Sequence, residues 1–168
     1  YSEKYPNRLF CTVGVHPTRS NEIFDGGEAS ADDHIQNMLD LVKDGMSDGK
    51  VIAIGELGLD YARTQFCEKS VQKNGFLSQL RLAEETKLPL FLHNRDTGED
   101  LLDLLKENRH RFTRGVVHSF DDTAELAAKF IDLDLYIGLN GCSLKTAENL
   151  EVVKELPLNR LLLETDCP

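Results

Sequence analysis

No stretch of this 168-residue chain approaches the roughly 18 consecutive apolar residues that cross a bilayer, so a membrane-spanning helix is excluded. No low-complexity tract interrupts it, and its first residues lack the charged-then-apolar order of a secretory leader. Paired cysteines are also missing. Cys11, Cys67, Cys142 and Cys167 are widely spaced with no CxxC, which excludes a zinc knuckle or a dithiol redox motif and predicts a reducing, intracellular setting in nucleus or cytoplasm. Two of them lie in or beside apolar runs, where a thiol serves as a small core residue. Walker, dinucleotide-binding and nucleophile-elbow motifs are absent, and the glycines of Gly55–Asp60 (GELGLD) are not spaced to cradle a nucleotide. Positive charge is in deficit: 19 Lys and Arg face 29 Asp and Glu, for a net charge of -10. That balance argues against a protein that coats nucleic acid non-specifically. It argues less against a nuclease, because a deep site holding divalent cations supplies its own local positive charge.

What is present is a rhythm. Short aliphatic runs at 9–15, 51–55, 88–92, 115–117, 133–139 and 161–163 each lead into a polar residue: His16, Glu56, His93, His118, Asn140 and, after Glu164-Thr165, Asp166. The runs do not alternate, a pattern predicting parallel strands covered on both faces. Between them lie helical spacings. Ile35, Met38, Leu39 and Val42 form one face, with Asp32 or Asp33 as the expected N-cap. Phe76, Leu77, Leu80 and Ala83 form another, as do Leu101, Leu102, Leu104 and Leu105. Leu126, Ala127, Phe130 and Ile131 make a fourth, and Leu150, Val153 and Leu156 a fifth. Residues 21–31, with Gly26-Gly27, read as a surface loop.

Strand–helix alternation predicts an α/β fold of parallel βαβ units, as an open doubly wound sheet or a closed barrel. The polar strand ends recur every 22 to 40 residues, so six βα units are visible. A (β/α)8 barrel of about 250 residues would need two more. The chain opens at Tyr1 without an initiator Met and closes at Pro168 directly after an apolar run and its polar end. Both ends are therefore expected to be cut, leaving residues 1–168 as one piece of a single longer domain.

Four of the six strand ends carry metal-ligand side chains: Glu56, His93, His118 and Asp166. In parallel barrels the carboxyl rim is where active sites are built. Two imidazoles and two carboxylates suit zinc, manganese or similar ions, and a bridging carboxylate suits a pair of them. Each residue alone has a plainer explanation: a hydrogen-bonded structural His, a carboxylate N-cap, or turn chemistry at Asp166. Four on one rim reverse that judgement. His16 stands at the same level before Pro17 and is assigned to substrate contact, as is Arg95, whose guanidinium can hold a phosphate bidentately. Lys145 is a weaker phosphate candidate. His34 and His110 read as surface residues, and the basic run 109–114 as a solvated helix end at the opposite rim.

The same residues carry a family resemblance. Val13-Gly14-Val15-His16-Pro17, Ala53–Tyr61, Leu88–Arg95, Val117–Phe120 and Leu163–Pro168 resemble, in order, motifs of the TatD family of metal-dependent deoxyribonucleases. Residues 136–145 (YIGLNGCSLK) look closest to its eukaryotic branch. The resemblance implies an amidohydrolase-like TIM barrel represented here by strands 3 to 8. It implies two divalent ions (Mg, Mn or Zn) bridged by Glu56, with His93 and His118 as ligands and Asp166 as both ligand and general base. Glu164 would support the cluster or the leaving group. The implied substrate is DNA, as single strands or damaged ends, degraded 3′ to 5′. Strands one and two, where many relatives carry a His-x-His pair, would be missing. The alternatives are an amide, ester or lactone hydrolase on the same metals, or a silent barrel used as a binding module.

Overall fold

In the computed structural model, which describes residues 4–5 and 8–167, the strands and helices alternate as the sequence predicts. In chain order they are β1 (Cys11–Val13), α1 (Glu28–Ser47), β2 (Val51–Asp60), α2 (Lys69–Thr86), β3 (Leu90–Arg95) and α3 (Asp100–Glu107), then β4 (Gly115–Val117), α4 (Ala124–Asp132), β5 (Leu135–Leu139), α5 (Ala147–Glu155) and β6 (Leu161–Leu163). The six strands form one parallel sheet in sequential order, β1 to β6, with every neighbour joined by a helical crossover. Pro168, the last residue of the fifth motif, lies outside the described residues.

Only one face of that sheet is covered by helices. Leu57, Leu59, Leu90, Leu92, Leu135 and Ile137 are buried with Phe76, Leu80, Ala83, Leu101, Leu105 and Phe130 in a single core. The residues between them point the other way and stay partly open: Leu162 is 46% exposed, and Phe91, Val116 and Tyr136 are half-buried. The expectation of strands covered on both faces is therefore corrected. A sheet wound in one direction puts its crossovers on one side, and its other side becomes the lumen of a barrel. Here that concave side, about 360 Å³ lined by Ala53, Phe91, Val116, Tyr136 and Leu162 among others, is apolar and open, with β1 and β6 as the outer strands of the sheet. This sequential, one-sided winding selects the barrel class over the doubly wound sheet.

Several local expectations shift. Residues 21–31 are not a loop. A 3-10 helix spans Pro17–Phe24, anchored by fully buried Ile23, and α1 already begins at Glu28, capped from Gly27. Only the turn 25–27 remains, where Gly26 and Gly27 take φ of 102° and 92°, conformations open to glycine. Asp32 and Asp33 thus lie inside α1. The α4 and α5 helices are capped by Thr123 and Thr146, whose hydroxyls accept from Leu126 N and Asn149 N. Leu156 lies past the end of α5 and is buried, while Leu150 is exposed. Of the cysteines only Cys67 is buried. Cys11 is exposed because β1 is an edge strand, and no disulfide links the four. No helix among the described residues is long and apolar enough to cross a membrane.

Two buried glutamines on α2, seven residues apart and so on one face, hold strand ends from behind. The Gln79 amide accepts from Val15 N at 2.6 Å and donates to Val15 O at 3.1 Å. Gln72 does the same for Asp60, accepting from its N–H at 2.7 Å and donating to its carbonyl at 2.9 Å. Val15 lies past the end of β1, and Asp60 keeps its β3 neighbour but has none on the β1 side, so the side-chain amides take the place of a ladder there. Replacing Gln79 by Leu should cost about 1–3 kcal/mol, the penalty of unpaired buried backbone groups, read as a lower urea midpoint with unchanged slope. An unchanged midpoint would show that water takes over the pairing.

Candidate metal centre

β2 does not stop before Glu56 but continues to Asp60, and two glycines permit this. The register against β3 shifts between Gly55 and Leu57, and Gly58 then pairs with His93. A Cβ on Gly58 would overlap the His93 carbonyl oxygen, and one on Gly55 the Phe91 carbonyl oxygen; both glycines sit at φ near 150° (149° and 147°). With Leu57 and Leu59 facing the helices, Glu56, Gly58 and Asp60 face the lumen side. The missing side chain at Gly58 lets the β3 backbone at His93 pass close against β2. On β3 the same alternation sets Phe91, His93 and Arg95 on that side.

Three ligand atoms converge there. Glu56 Oε1 lies 2.6 Å from His93 Nδ1 and 2.7 Å from His118 Nε2, and those two nitrogens are 3.3 Å apart. Two ring nitrogens and a carboxylate oxygen directed at one point are satisfied together by a proton or a cation. The donor set of one oxygen and two imidazoles suits a divalent transition ion, so the residues fit a metal.

Each imidazole has a carboxylate behind it. His93 Nε2 is 3.2 Å from Oδ2 of fully buried Asp60, so that with metal bound the proton would sit on Nε2 and Nδ1 would be the ligating nitrogen. His118 Nδ1 faces Glu164 Oε2 at 3.7 Å, and Glu164 Oε1 accepts from Ser119 N at 2.5 Å. Burial works against ionising Glu56, yet hydrogen bonds from His118 and His93 outweigh it and hold the carboxyl far below its ordinary range. Burial likewise opposes charge on His118, but Glu164 and Glu56 push its pKa up to about 9. Glu164 is held below its usual value by His118 and the Ser119 amide, again against burial.

His16 sits beside this group without entering it. Its ring meets His93 edge-on at 4.6 Å, and Nε2 is 3.6 Å from Glu56 Oε1. Thr18 N donates to His16 Nδ1 at 3.2 Å, so the neutral ring carries its proton on Nε2. Burial first, and then the neighbouring His93, lower its pKa and keep it neutral. His16 is thereby a hydrogen-bond donor facing the centre. His16, Asp60 and His93 form a second set of possible ligands, but it needs His93 Nε2 where the first needs Nδ1. A neutral imidazole has one free lone pair, so His93 cannot serve both at once.

The other expected residues divide. Asp166 lies outside both ligand groups; its exposed carboxylate accepts from Ser119 Oγ at 3.0 Å, beside His118. Ser119 Oγ in turn receives the Asn140 amide at 2.5 Å. Ser119 and Asp166 both hold positive φ, 48° and 50°, so this corner is built from strained backbone. Arg95 is half-buried, on the lumen side one register step above His93. Lys145 is exposed in the turn after β5, and His110 is exposed while His34 is half-buried. Asp60, Ser119 and Asn140 received no role from the sequence. Asp60 carried a readable signal, standing four residues after Glu56 on the same strand face.

A one-directionally wound parallel α/β sheet with a histidine–carboxylate centre at the carboxyl ends of its strands defines the class: a barrel-type scaffold of the metal-hydrolase kind. Comparison with known proteins makes it particular. The family description "TatD related DNase" matches residues 1–168. A Schizosaccharomyces pombe protein described as "Deoxyribonuclease Tat-D" is 43% identical over 158 residues, 94% of this chain and 50% of that protein. A Rahnella protein described as "3'-5' ssDNA/RNA exonuclease TatD" is 36% identical over 170 residues, covering 99% and 60% of the two chains. The crystal structure of a TatD family hydrolase from Entamoeba histolytica superposes with a TM-score of 0.86 at 40% identity, covering 99% of this chain and 55% of that one. The chain belongs to the TatD family, and it spans about half the length of the relatives it matches.

Proposed function

We propose that this chain carries the metal-binding face of a divalent-metal-dependent deoxyribonuclease that shortens DNA from the 3′ end. The observation that carries the reading is the meeting of Glu56, His93 and His118 at one point, with each imidazole oriented by a carboxylate. The descriptions of the fission-yeast and Rahnella relatives support the substrate class and the polarity. Glu56, His93 and His118 would hold one ion. Glu56 Oε2 makes no hydrogen bond among the described residues and would remain available as a further donor to metal.

A divalent ion bound there would lower the pKa of a coordinated water and neutralise charge on the phosphoryl oxygens. The residues of the chain do the rest. Asp166, aligned through Ser119 and Asn140, takes the proton from the attacking water. The new O–P bond forms in line as the P–O3′ bond breaks, and the departing 3′ oxygen is protonated from solvent. His16 Nε2–H and Arg95 donate to the phosphoryl oxygens where charge develops. Glu164 acts from behind His118 rather than on substrate, since both its oxygens are turned to Ser119 and His118.

The test is a 5′-labelled single-stranded oligonucleotide incubated with the full-length protein and Mg²⁺ or Mn²⁺. A ladder shortening from the 3′ end, erased by chelator, is the expected result. No cleavage with any ion would move the assignment to a carbonyl-centred hydrolysis, to be sought among esters and lactones.

Metal binding should also be linked to pH. Below about 9, His118 holds a proton that a ligating cation must displace from Nε2. Apparent affinity for Mn²⁺ should therefore rise with pH towards that value, by about tenfold per unit when one proton is released. Calorimetry in buffers of different ionisation heat reads the proton directly. Affinity constant between about pH 6 and about pH 8 would remove His118 from the ligand set.

A further inference from the structure

Just past the centre, the turn that leaves β2 presents an aromatic ring to solvent. Phe66 is 62% exposed and has no ring partner among the described residues, although its neighbour Cys67 is buried. The turn is not loose. Phe66 N donates to Arg63 O at 3.1 Å, and Gln72 donates to Cys67 O at 2.8 Å. Tyr61 is fixed by its hydroxyl on Asp100 at 2.6 Å.

Arg63 belongs to the same turn and reaches the centre. Its Nη1 is 3.4 Å from Asp60 Oδ2, the oxygen that also faces His93 Nε2. The side chain remains 47% exposed, so one edge of the guanidinium is parked on a buried carboxylate while its other donors face the rim. Asp60 pairs in register with Arg95, so two guanidinium-bearing residues flank it. Lys69 adds a cation, its Nζ lying 4.1 Å over the Tyr61 ring. Residues 61–69 hold two cations and one acid, Glu68, a local surplus of positive charge on a chain whose net charge is -10.

We infer that the turn 61–66 is a strand-binding element, with Phe66 stacking on a base and Arg63 holding a backbone phosphate of single-stranded nucleic acid that passes the metal centre. The inference rests on the nuclease reading and adds the surface that holds the strand. An exposed ring and a guanidinium on one turn are the two groups that bind single strands, because every base offers a π face and every linkage a phosphate. Stacking of this kind is indifferent to sequence, so little base preference is expected.

The experiment uses the full-length protein carrying Asp166→Asn, so that DNA is bound without being cut, and a fluorescent single strand of about eight nucleotides read by anisotropy. Phe66→Ala should raise Kd about tenfold, and Phe66→Tyr should restore it. A strand with one abasic position at the stacked nucleotide should lose the same factor against the parent and nothing further against Phe66→Ala. Arg63→Gln should weaken every strand, abasic ones included, and lower the salt slope by about one. An unchanged Kd for Phe66→Ala, or abasic and Phe66→Ala losses that simply multiply, overturns the inference. A change in sedimentation on Phe66→Ala with DNA binding intact assigns the ring to a protein contact and overturns it equally. Cleavage by the wild type is scored separately. Normal cleavage with an indifferent Phe66 leaves the nuclease reading standing, whereas no binding and no cleavage by the unaltered protein removes both.

Discussion

His93→Ala in the full-length protein is expected to lower turnover of single-stranded DNA by at least about a thousand-fold, the scale of several kcal/mol that metal charge stabilisation supplies. Four neighbouring side chains surround His93. His93 Nδ1 meets Glu56 Oε1 at 2.6 Å and lies 3.3 Å from His118 Nε2, Nε2 meets buried Asp60 at 3.2 Å, and the ring packs edge-on against His16. Alanine removes a proposed ligand and leaves Asp60, wholly buried, with Arg63 as its remaining side-chain partner among the described residues. Outer-shell changes alone typically cost 10–100-fold in metal affinity, so loss of the ligand itself should exceed that. Calorimetry should therefore show Mn²⁺ binding weakened alongside activity, while circular dichroism keeps its helical signal. Activity retained with metal affinity unchanged would take His93 out of the centre.

Asp166→Asn should lower kcat by about 10²–10⁴-fold, the range of a lost general base, with KM within a few-fold. The substitution is nearly isosteric, the side chain is exposed, and an amide oxygen can still accept the Ser119 hydroxyl. Thermal stability should therefore hardly move. This separates a chemical role from a structural one: a parallel fall in melting temperature would mean that Asp166 matters through its strained backbone corner with Ser119. Wild-type turnover would place the base elsewhere. Mn²⁺ affinity in the same variant tells whether Asp166 also ligates, which its place outside both ligand groups leaves to the experiment.

The strand–helix rhythm was legible because buried parallel strands show as short unbroken apolar runs and their crossover helices as apolar residues three and four apart, and each run ends near the polar residue that reaches the rim. All six runs became strands, and His118, Asn140 and Asp166 lie just past strand ends as read. Glu56 and His93 did not: His93 lies within β3, which runs on to Arg95, and Glu56 lies within β2, since glycines at 55 and 58 let the backbone stay against β3 for five residues longer than the apolar run suggested. The loop expected at 21–31 failed for a related reason: Ile23 is one buried contact, too short a signal to show as periodicity. The expected double coverage of the strands failed because a run of aliphatics does not say whether its second face meets helices or a lumen.

The sequence by itself determined the class of fold, the order of its elements and the membership of the rim, because those depend on local period and residue chemistry. It also told which side chains could bind metal. Tertiary structure decided which of them meet. Glu56, His93 and His118 are 37 and 62 residues apart from first to second and first to third, yet share one point only because β2, β3 and β4 lie side by side in register. It alone assigned Asp60 to His93, Glu164 to His118, Ser119 to Asp166 and Gln72 to the backbone of Asp60. A hydrogen bond is set by a few tenths of an ångström and a direction, and neither is written in residue type or spacing.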